Sequence, residues 1–113
     1  MITLLIKDVT KHIETRHGPT GEDDSRFDAG FLSNQGGLGK VAKAVVDNGV
    51  SAVEKDKSGR TVHHFYYNFN TKTGTGVAVD KSTVSFKGVH IVGTVGTDVL
   101  FIETMYPKGV IKT

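Results

Sequence analysis

The sequence of 113 residues contains no cysteine. Disulfide bonds, thiolate nucleophiles and cysteine-based zinc sites are therefore excluded. Secreted domains of this size usually carry disulfide bonds, so their absence favours a domain that works in a reducing cytosol or unfolds to cross a membrane. No apolar run approaches the ~20 residues that a transmembrane helix requires. The first residues have no basic leader and no small-residue cleavage site, so no secretory signal peptide is expected.

The composition is that of one soluble globular domain, which we expect to span residues 1–113. Hydrophobic residues make up 37% and charged residues 23% of the chain, values that are typical of such domains. The net charge is only +2, but residues 31–113 hold ten basic and six acidic side chains. This part of the chain is basic enough to attract a polyanion weakly, although a solubilising surface is the simpler interpretation.

The first part of the chain is predicted to form two helices separated by a long loop. The first spans 3–17, where apolar residues recur at a spacing of four residues, at Leu5, Val9 and Ile13. Gly18 and Pro19 end it. Residues 20–37 are rich in Gly, Ser, Asp and Asn and are predicted to be the loop, and 38–49 the second helix.

The second part is predicted to be a β-sheet. Strands at 50–56 and 61–70 flank a Ser-Gly turn and form a hairpin. Further strands are expected at 77–80, 82–86, 89–95 and 98–106. Helices followed by strands are typical of the α+β class. We therefore predict N-terminal helices packed on one face of a twisted antiparallel sheet of about five strands.

The five histidines do not form a metal-binding pattern. They occur at His12, His17, His63, His64 and His90. The first two are five residues apart rather than four, and the adjacent pair on one strand points to opposite faces. No metal and no cofactor is therefore expected. General acid–base catalysis needs less: one or two histidines, a cation and a hydroxyl donor.

The last strand supplies hydroxyl groups. Alternation along "DVLFIETMY" is expected to place four residues on one face, at Leu100, Ile102, Thr104 and Tyr106. Its apolar part would contact the helices, and Thr104 and Tyr106 would line a cleft near the helix ends. The alternative is that Thr and Tyr are simply good strand formers.

Two other features have a functional and a structural interpretation. The planar guanidinium of Arg26 suits a phosphate oxygen, but an exposed pair with a neighbouring aspartate is the simpler interpretation. The strand at 61–70 could stack bases, but alternation favours a core-facing set, at His63, Phe65, Tyr67 and Phe69.

The order of these parts resembles a bacterial toxin architecture. The matching segments are "HIETRHGP" (12–19), "SRF" (25–27) and "ETMYP" (103–107). In this order, with a second helix and an antiparallel sheet between them, they are similar to the C-terminal nuclease domains of contact-dependent growth-inhibition and related polymorphic toxins. Those domains share the barnase/EndoU/colicin/RelE fold.

The resemblance implies a metal-independent ribonuclease toxin, and many members of this group cut tRNA. The implied reaction is attack of a ribose 2′-OH on the adjacent phosphodiester. Carried over to this sequence, His17 is the general base or acid. Arg16 and Arg26 hold the phosphate, and Thr104 and Tyr106 donate hydrogen bonds or a proton to it.

The second acid or base stays open at this point. Relatives of the EndoU type carry two catalytic histidines, and His64 and His90 are both candidates for the second. His12, a turn and a half before His17, is expected to bind substrate or to support the helix.

The resemblance also implies partners and a location. The expected partners are RNA, most often tRNA in this group, and a cognate immunity protein that covers the cleft. A host protein needed for activity is an open alternative. The domain would be exported as part of a larger toxin and would act in the cytoplasm of the target cell.

Two other functions compete with this hypothesis. One is a non-catalytic immunity-like protein or small α+β binding protein of a toxin system, and the other is DNA cleavage or ADP-ribosyl transfer on a similar layout. A nuclease requires His17, an arginine, and Thr104 or Tyr106 to surround one cleft, whereas a binding protein does not.

Overall fold

A computed structural model describes residues 3–5, 10–21 and 25–110, which form an α+β fold as predicted. The helices in this part of the chain are α1 (Thr10–His17), α2 (Ala29–Gln35) and α3 (Leu38–Asn48). The strands are β1 (Thr3–Leu5), β2 (Arg26–Phe27), β3 (Val50–Lys55), β4 (Thr61–Asn68), β5 (Gly74–Val77), β6 (Thr83–Gly96) and β7 (Val99–Val110).

The strands form one sheet in which β6 and β7 are central. The main order is β1-β7-β6-β4-β3, and β5 joins the first half of β6 and pairs in turn with β2. All pairs are antiparallel except that β1 runs parallel to β7. Because β1 covers only Val99–Phe101, it leaves the later part of that β7 edge to other elements.

The predicted first helix is wrong at its beginning. Thr3–Leu5 is strand β1, and the helix begins at Thr10. A short apolar run is compatible with a strand as well as with one face of a helix. Pairing with β7 makes this one a strand. Ile13 is fully buried, as its spacing predicts, while Val9 lies outside the described residues.

The second predicted helix is confirmed as α3, whose apolar face is buried at Leu38, Val41, Ala42 and Val45. The predicted loop contains a further helix, α2, which the sequence analysis missed. Its short polar sequence has weak helical periodicity, but Phe31 anchors it in the core, 6.4 Å from Phe27 between ring centroids. Gly36 ends α2 at a φ of 92°, a conformation that favours glycine.

The predicted hairpin is confirmed as β3 and β4. The Asp56 carboxylate closes its turn by accepting hydrogen bonds from the backbone N–H groups of Ser58 and Arg60. Other strand boundaries differ from the prediction. The strand expected at 77–80 is β5, which begins at Gly74 and ends at Val77, and β7 continues to Val110 rather than ending at 106. The strands expected at 82–86 and 89–95 are one strand, β6. A Lys-Gly pair does not end a strand that is paired on both sides.

The core lies between the helices and one face of the sheet. Its members are Ile13, Phe27, Phe31, Leu38, Val41, Ala42, Val45, Val89, Ile91, Leu100, Ile102 and Met105. Phe65, Tyr67 and Phe69 pack against it, which confirms these three members of the predicted core-facing set. Residues that alternate with these on β4, β6 and β7 therefore form the other face of the sheet, which we call the polar face.

The predicted alternation along β7 is wrong in its second half. Leu100 and Ile102 face the core as expected, but the next buried residues are Met105 and Pro107 rather than Thr104 and Tyr106. The reason is a β-bulge: Thr104 pairs with Val92 and Ile102 with Gly93, so Glu103 is an extra residue on β7. An extra residue exchanges the two faces of a strand.

An ion pair joins the extra residue of the bulge to the hairpin turn. Arg60 donates to both carboxylate oxygens of Glu103, at 2.6 and 3.3 Å, and also to Asp56 at 3.0 Å. Bidentate pairing fixes the orientation of both side chains. The bulge thus turns Thr104 and Tyr106 onto the polar face.

Candidate functional site

Four side chains form a continuous hydrogen-bonded row across the polar face. They are Glu54 on β3, His64 on β4, His90 on β6 and Tyr106 on β7. We call this row the relay. The register brings them together because His90 is directly opposite Tyr106, whereas His64 is diagonal to both Glu54 and His90. Diagonal neighbours on one face are within reach of long side chains.

The distances within the relay are short. Oε1 of Glu54 is 2.7 Å from Nε2 of His64. Nδ1 of His64 is 2.9 Å from Nε2 of His90, and Nδ1 of His90 is 2.6 Å from the Tyr106 hydroxyl. Both nitrogens of both imidazoles are therefore used within the relay.

Burial shifts the pKa values at the inner end of the relay. Partial burial lowers the pKa of His90 to about 4, and the positive charges of Lys108 and His64 add to this effect. Burial also raises the pKa of Tyr106. Near neutral pH the His90 ring is thus uncharged and the Tyr106 hydroxyl keeps its proton.

His17, from the end of α1, approaches Tyr106 at the β7 edge. The two ring centroids are 5.4 Å apart. Nδ1 of His17 is 2.8 Å from the carbonyl oxygen of Ser25, and the Ser25 hydroxyl donates to the carbonyl oxygen of Pro107 at 2.8 Å. Ser25 therefore ties the end of α1 to the strand that carries Tyr106.

A cavity of about 300 Å³ opens beside the relay. It is lined by Tyr66, His90, Lys108 and Gly109. The Tyr66 side chain crosses two glycines, since a Cβ on Gly88 or on Gly109 would lie 2.2 Å from its hydroxyl oxygen. Glycine at these two positions is what lets an aromatic ring lie against the sheet here.

The other residues predicted for the site are Thr104, Arg16, Arg26 and His12. Thr104 is partly buried on the polar face, two residues before Tyr106. Arg16 and Arg26 are exposed, and each is the chain neighbour of a residue in the Ser25 contact. His12 is exposed on α1, next to the buried Ile13. Of the aspartates considered as partners of Arg26, Asp23 and Asp24 lie outside the described residues, and Asp28 is 3.7 Å from the ammonium group of Lys72.

Sequence reasoning missed three members of the site: Glu54, Tyr66 and Lys108. Lys108 carried a readable signal, because Thr104, Tyr106 and Lys108 alternate on one strand. Tyr66 alternates with His64 in the same way. Glu54 carried none, since its place in the relay depends on the β3–β4 register.

Two further properties hold for residues 3–5, 10–21 and 25–110. No group of three or more His, Cys, Asp or Glu side chains is arranged to bind a metal ion. None of the helices in these ranges has the length and apolar character needed to cross a membrane.

Comparison with known proteins does not assign the chain to a family. No protein-family model, no curated protein and no solved structure matches it.

Proposed function

We propose that this chain is a metal-independent endoribonuclease toxin domain that cleaves RNA, with tRNA as the leading candidate, by attack of a 2′-OH on the neighbouring phosphodiester. The observation that carries the proposal is the meeting of His17 and Tyr106, whose ring centroids are 5.4 Å apart although they lie at opposite ends of the chain. A hydrogen-bonded His90 directly behind Tyr106 supports it.

His17 is the general base in this proposal. The Ser25 carbonyl can only accept a hydrogen bond, so Nδ1 of the neutral His17 ring carries the hydrogen. The lone pair of the ring is then on Nε2. A backbone carbonyl that fixes the tautomer in this way prepares the other nitrogen to remove a proton from the 2′-OH.

Tyr106 is the general acid. Its hydroxyl protonates the 5′ oxygen that leaves when the phosphodiester breaks. Thr104, on the same face, donates a hydrogen bond to a phosphate oxygen. Arg16 and Arg26, which are exposed near the Ser25 contact, stabilise the negative charge that develops on phosphorus.

The cavity beside the relay binds the nucleoside next to the cleaved bond. Its volume of about 300 Å³ is at the small end of ligand pockets. Tyr66 offers a ring for base stacking, and Lys108 offers a cation for the neighbouring phosphate. His12, exposed on α1, is one and a half turns from His17 and contacts RNA further along the strand.

The proposed biological setting follows from the toxin hypothesis. The domain is delivered as part of a larger toxin and acts in the cytoplasm of the target cell. A cognate immunity protein covers the surface around His17 and Tyr106 in the producing cell.

The test is direct cleavage of RNA by the purified chain. Total RNA and single tRNAs are incubated with the protein in the presence of EDTA, and the products are sequenced. We expect cleavage that survives chelation, products ending in a 2′,3′-cyclic phosphate, and no cleavage at a nucleotide that lacks its 2′-OH. Intact RNA under all conditions, or cleavage that requires a divalent ion, would reject the proposal.

A second candidate function is a non-catalytic binding protein. It is favoured by β3, an edge strand on which all six residues are exposed, including Val50 at 73% and Val53 at 60%. Exposed strand edges bind other chains by strand addition. A chain of this kind would leave RNA intact in the experiment above.

A further inference from the structure

We propose that His64, hydrogen-bonded to Glu54, supplies the proton that Tyr106 delivers, so that the relay is a proton path from His64 to Tyr106. This inference rests on the proposed role of Tyr106 as the acid. It goes further by naming His64 as the source of the proton and by giving a positioning role to Glu54, which lies outside the predicted site.

The relay has two directions of hydrogen bonding, and the charge on His64 selects between them. When His64 is neutral, its Nε2–H donates to the Glu54 carboxylate and its Nδ1 accepts from Nε2–H of His90. Nδ1 of His90 then accepts from the Tyr106 hydroxyl. In this direction Tyr106 cannot donate to a substrate, because its hydrogen is directed at His90.

A proton on His64 reverses the row. Both of its nitrogens now donate, so His90 accepts at Nε2 and carries its hydrogen at Nδ1. Nδ1–H of His90 donates to the Tyr106 oxygen, and the Tyr106 hydrogen faces outwards. This is the direction in which Tyr106 can protonate a leaving oxygen.

Proton transfer converts the second direction into the first. The Tyr106 O–H bond breaks as the 5′ oxygen is protonated, and Tyr106 receives the Nδ1 proton of His90. His90 receives the Nδ1 proton of His64 at its Nε2, and His64 is left neutral with Nε2–H bound to Glu54. One proton is given up by His64 and one is gained by the 5′ oxygen.

His90 and Tyr106, at the inner end of the relay, are suited to transferring a proton without retaining a charge. Burial lowers the pKa of His90 to about 4, so this ring is a poor resting place for positive charge. Burial raises the pKa of Tyr106, so a tyrosinate is also disfavoured. The charge can rest at the outer end, where the His64 and Glu54 side chains form an ion pair when His64 is protonated.

The groups that face the relay come from every element packed around it. They are Glu54 on β3, His64 on β4, His90 on β6, Tyr106 and Lys108 on β7, and His17 at the end of α1. The positive charge of Lys108 near His90 opposes a charge on that ring.

The decisive experiment is ¹⁵N NMR of the full chain labelled at histidine, titrated between about pH 5 and pH 8, where imidazoles ordinarily change charge. Ring ¹⁵N shifts show which nitrogen carries hydrogen. As His64 is protonated, we expect the hydrogen of His90 to move from Nε2 to Nδ1. A His90 ring that keeps one tautomer while His64 titrates would overturn the proposal.

Variants distinguish the effect of His64 from that of neighbouring residues. His64→Gln should abolish the change at His90, whereas His63→Gln, on the adjacent residue and the opposite face, should leave it intact. Glu54→Gln should move the change to lower pH, and this exposed edge position tests the proposal even if the His64 variant fails to fold. An equal effect of the His63 and His64 variants would contradict it.

Cleavage kinetics provide a second test, because a purely structural role of His64 would not change the pH profile of kcat. His64→Gln should lower kcat by about 100-fold, the low end of the range for general acids, with KM unchanged and the alkaline limb of the pH profile lost. An unchanged alkaline limb in this variant would overturn the proposal. If the chain cuts no RNA, the ribonuclease proposal fails while the NMR titration still decides whether the relay reverses.

Discussion

Replacing Tyr106 with phenylalanine removes one oxygen atom and keeps the ring that packs 5.4 Å from His17. The variant therefore tests the hydroxyl group alone. If this hydroxyl protonates the leaving 5′ oxygen, its loss should lower kcat by about 10²- to 10⁴-fold, the usual contribution of a general acid. KM should change little, because the cavity beside Lys108 can still bind the nucleobase.

The cost to stability should be small compared with this kinetic effect. The variant loses the 2.6 Å hydrogen bond to Nδ1 of His90. An intramolecular hydrogen bond contributes about 1 kcal/mol net, and His90 is only partly buried, so water can replace the lost partner. We expect the free energy of unfolding to fall by about 1 kcal/mol.

The assay is single-turnover cleavage of a labelled RNA, with urea unfolding measured on the same preparations. Tyr67→Phe is the matched control, since Tyr67 is on the core-facing side of β4, packed 4.9 Å from Phe69 between ring centroids. It should cleave at the wild-type rate. A Tyr106→Phe protein that cleaves within about 3-fold of wild type, far short of a general acid's contribution, would refute the assignment.

Three further predictions concern the general base His17, the partly buried imidazole of His90 and the cavity. His17→Ala should abolish RNA cleavage and growth inhibition and lower unfolding free energy by no more than about 1 kcal/mol; a toxic variant would contradict the assignment. The pKa of His90 falls from 6.5 in the unfolded chain to about 4, so the unfolded state binds more protons and stability must fall as the pH is lowered through this window. After allowance for solvent screening at this half-buried ring, we expect stability to fall by an amount on the order of 1 kcal/mol. The measurement is urea unfolding of wild type and of His90→Gln at neutral and at acidic pH. Equal pH dependence of stability in the two proteins would contradict this prediction. Gly88→Ala places a Cβ 2.2 Å from the Tyr66 hydroxyl and should lower the free energy of unfolding by about 1–3 kcal/mol. By displacing the Tyr66 ring it should also weaken RNA binding, measured by titration with RNA. Unchanged binding would show that the cavity binds no nucleobase.

The sequence determined those elements whose local pattern has one solution. The apolar spacing of Leu38, Val41 and Val45 predicts helix α3, and Asn48-Gly49 ends it. Alternation along β4 assigned Phe65 and Tyr67 to the core side. The α+β class follows from the order of such segments, because helices followed by strands must bury their apolar faces against each other.

Local pattern was not sufficient where one segment fits two structures. Thr3–Leu5 continues a helical spacing but pairs with Val99–Phe101 as a strand. The segment from Ala29 to Gln35 has a loop-like composition, and the burial of Phe31 makes it helical. In both cases a contact with a distant part of the chain outweighs the local preference.

The candidate site divides in the same way. The sequence alone singled out His17 and Tyr106, through their short motifs and the hydroxyl at the end of the last strand. Their meeting is decided by the tertiary structure, which brings the end of α1 to the β7 edge through Ser25. The bulge at Glu103 decides that Tyr106 faces His90 rather than the core.

The relay is entirely a product of the tertiary structure. Each member is an ordinary polar residue of its strand, and nothing in its neighbours along the chain predicts a partner. Register alone places His64 diagonal to His90 and His90 opposite Tyr106. Register is set by the turns, the bulge and the core packing of all the strands together, so a sequence read segment by segment predicts the strands but not which side chains meet across them.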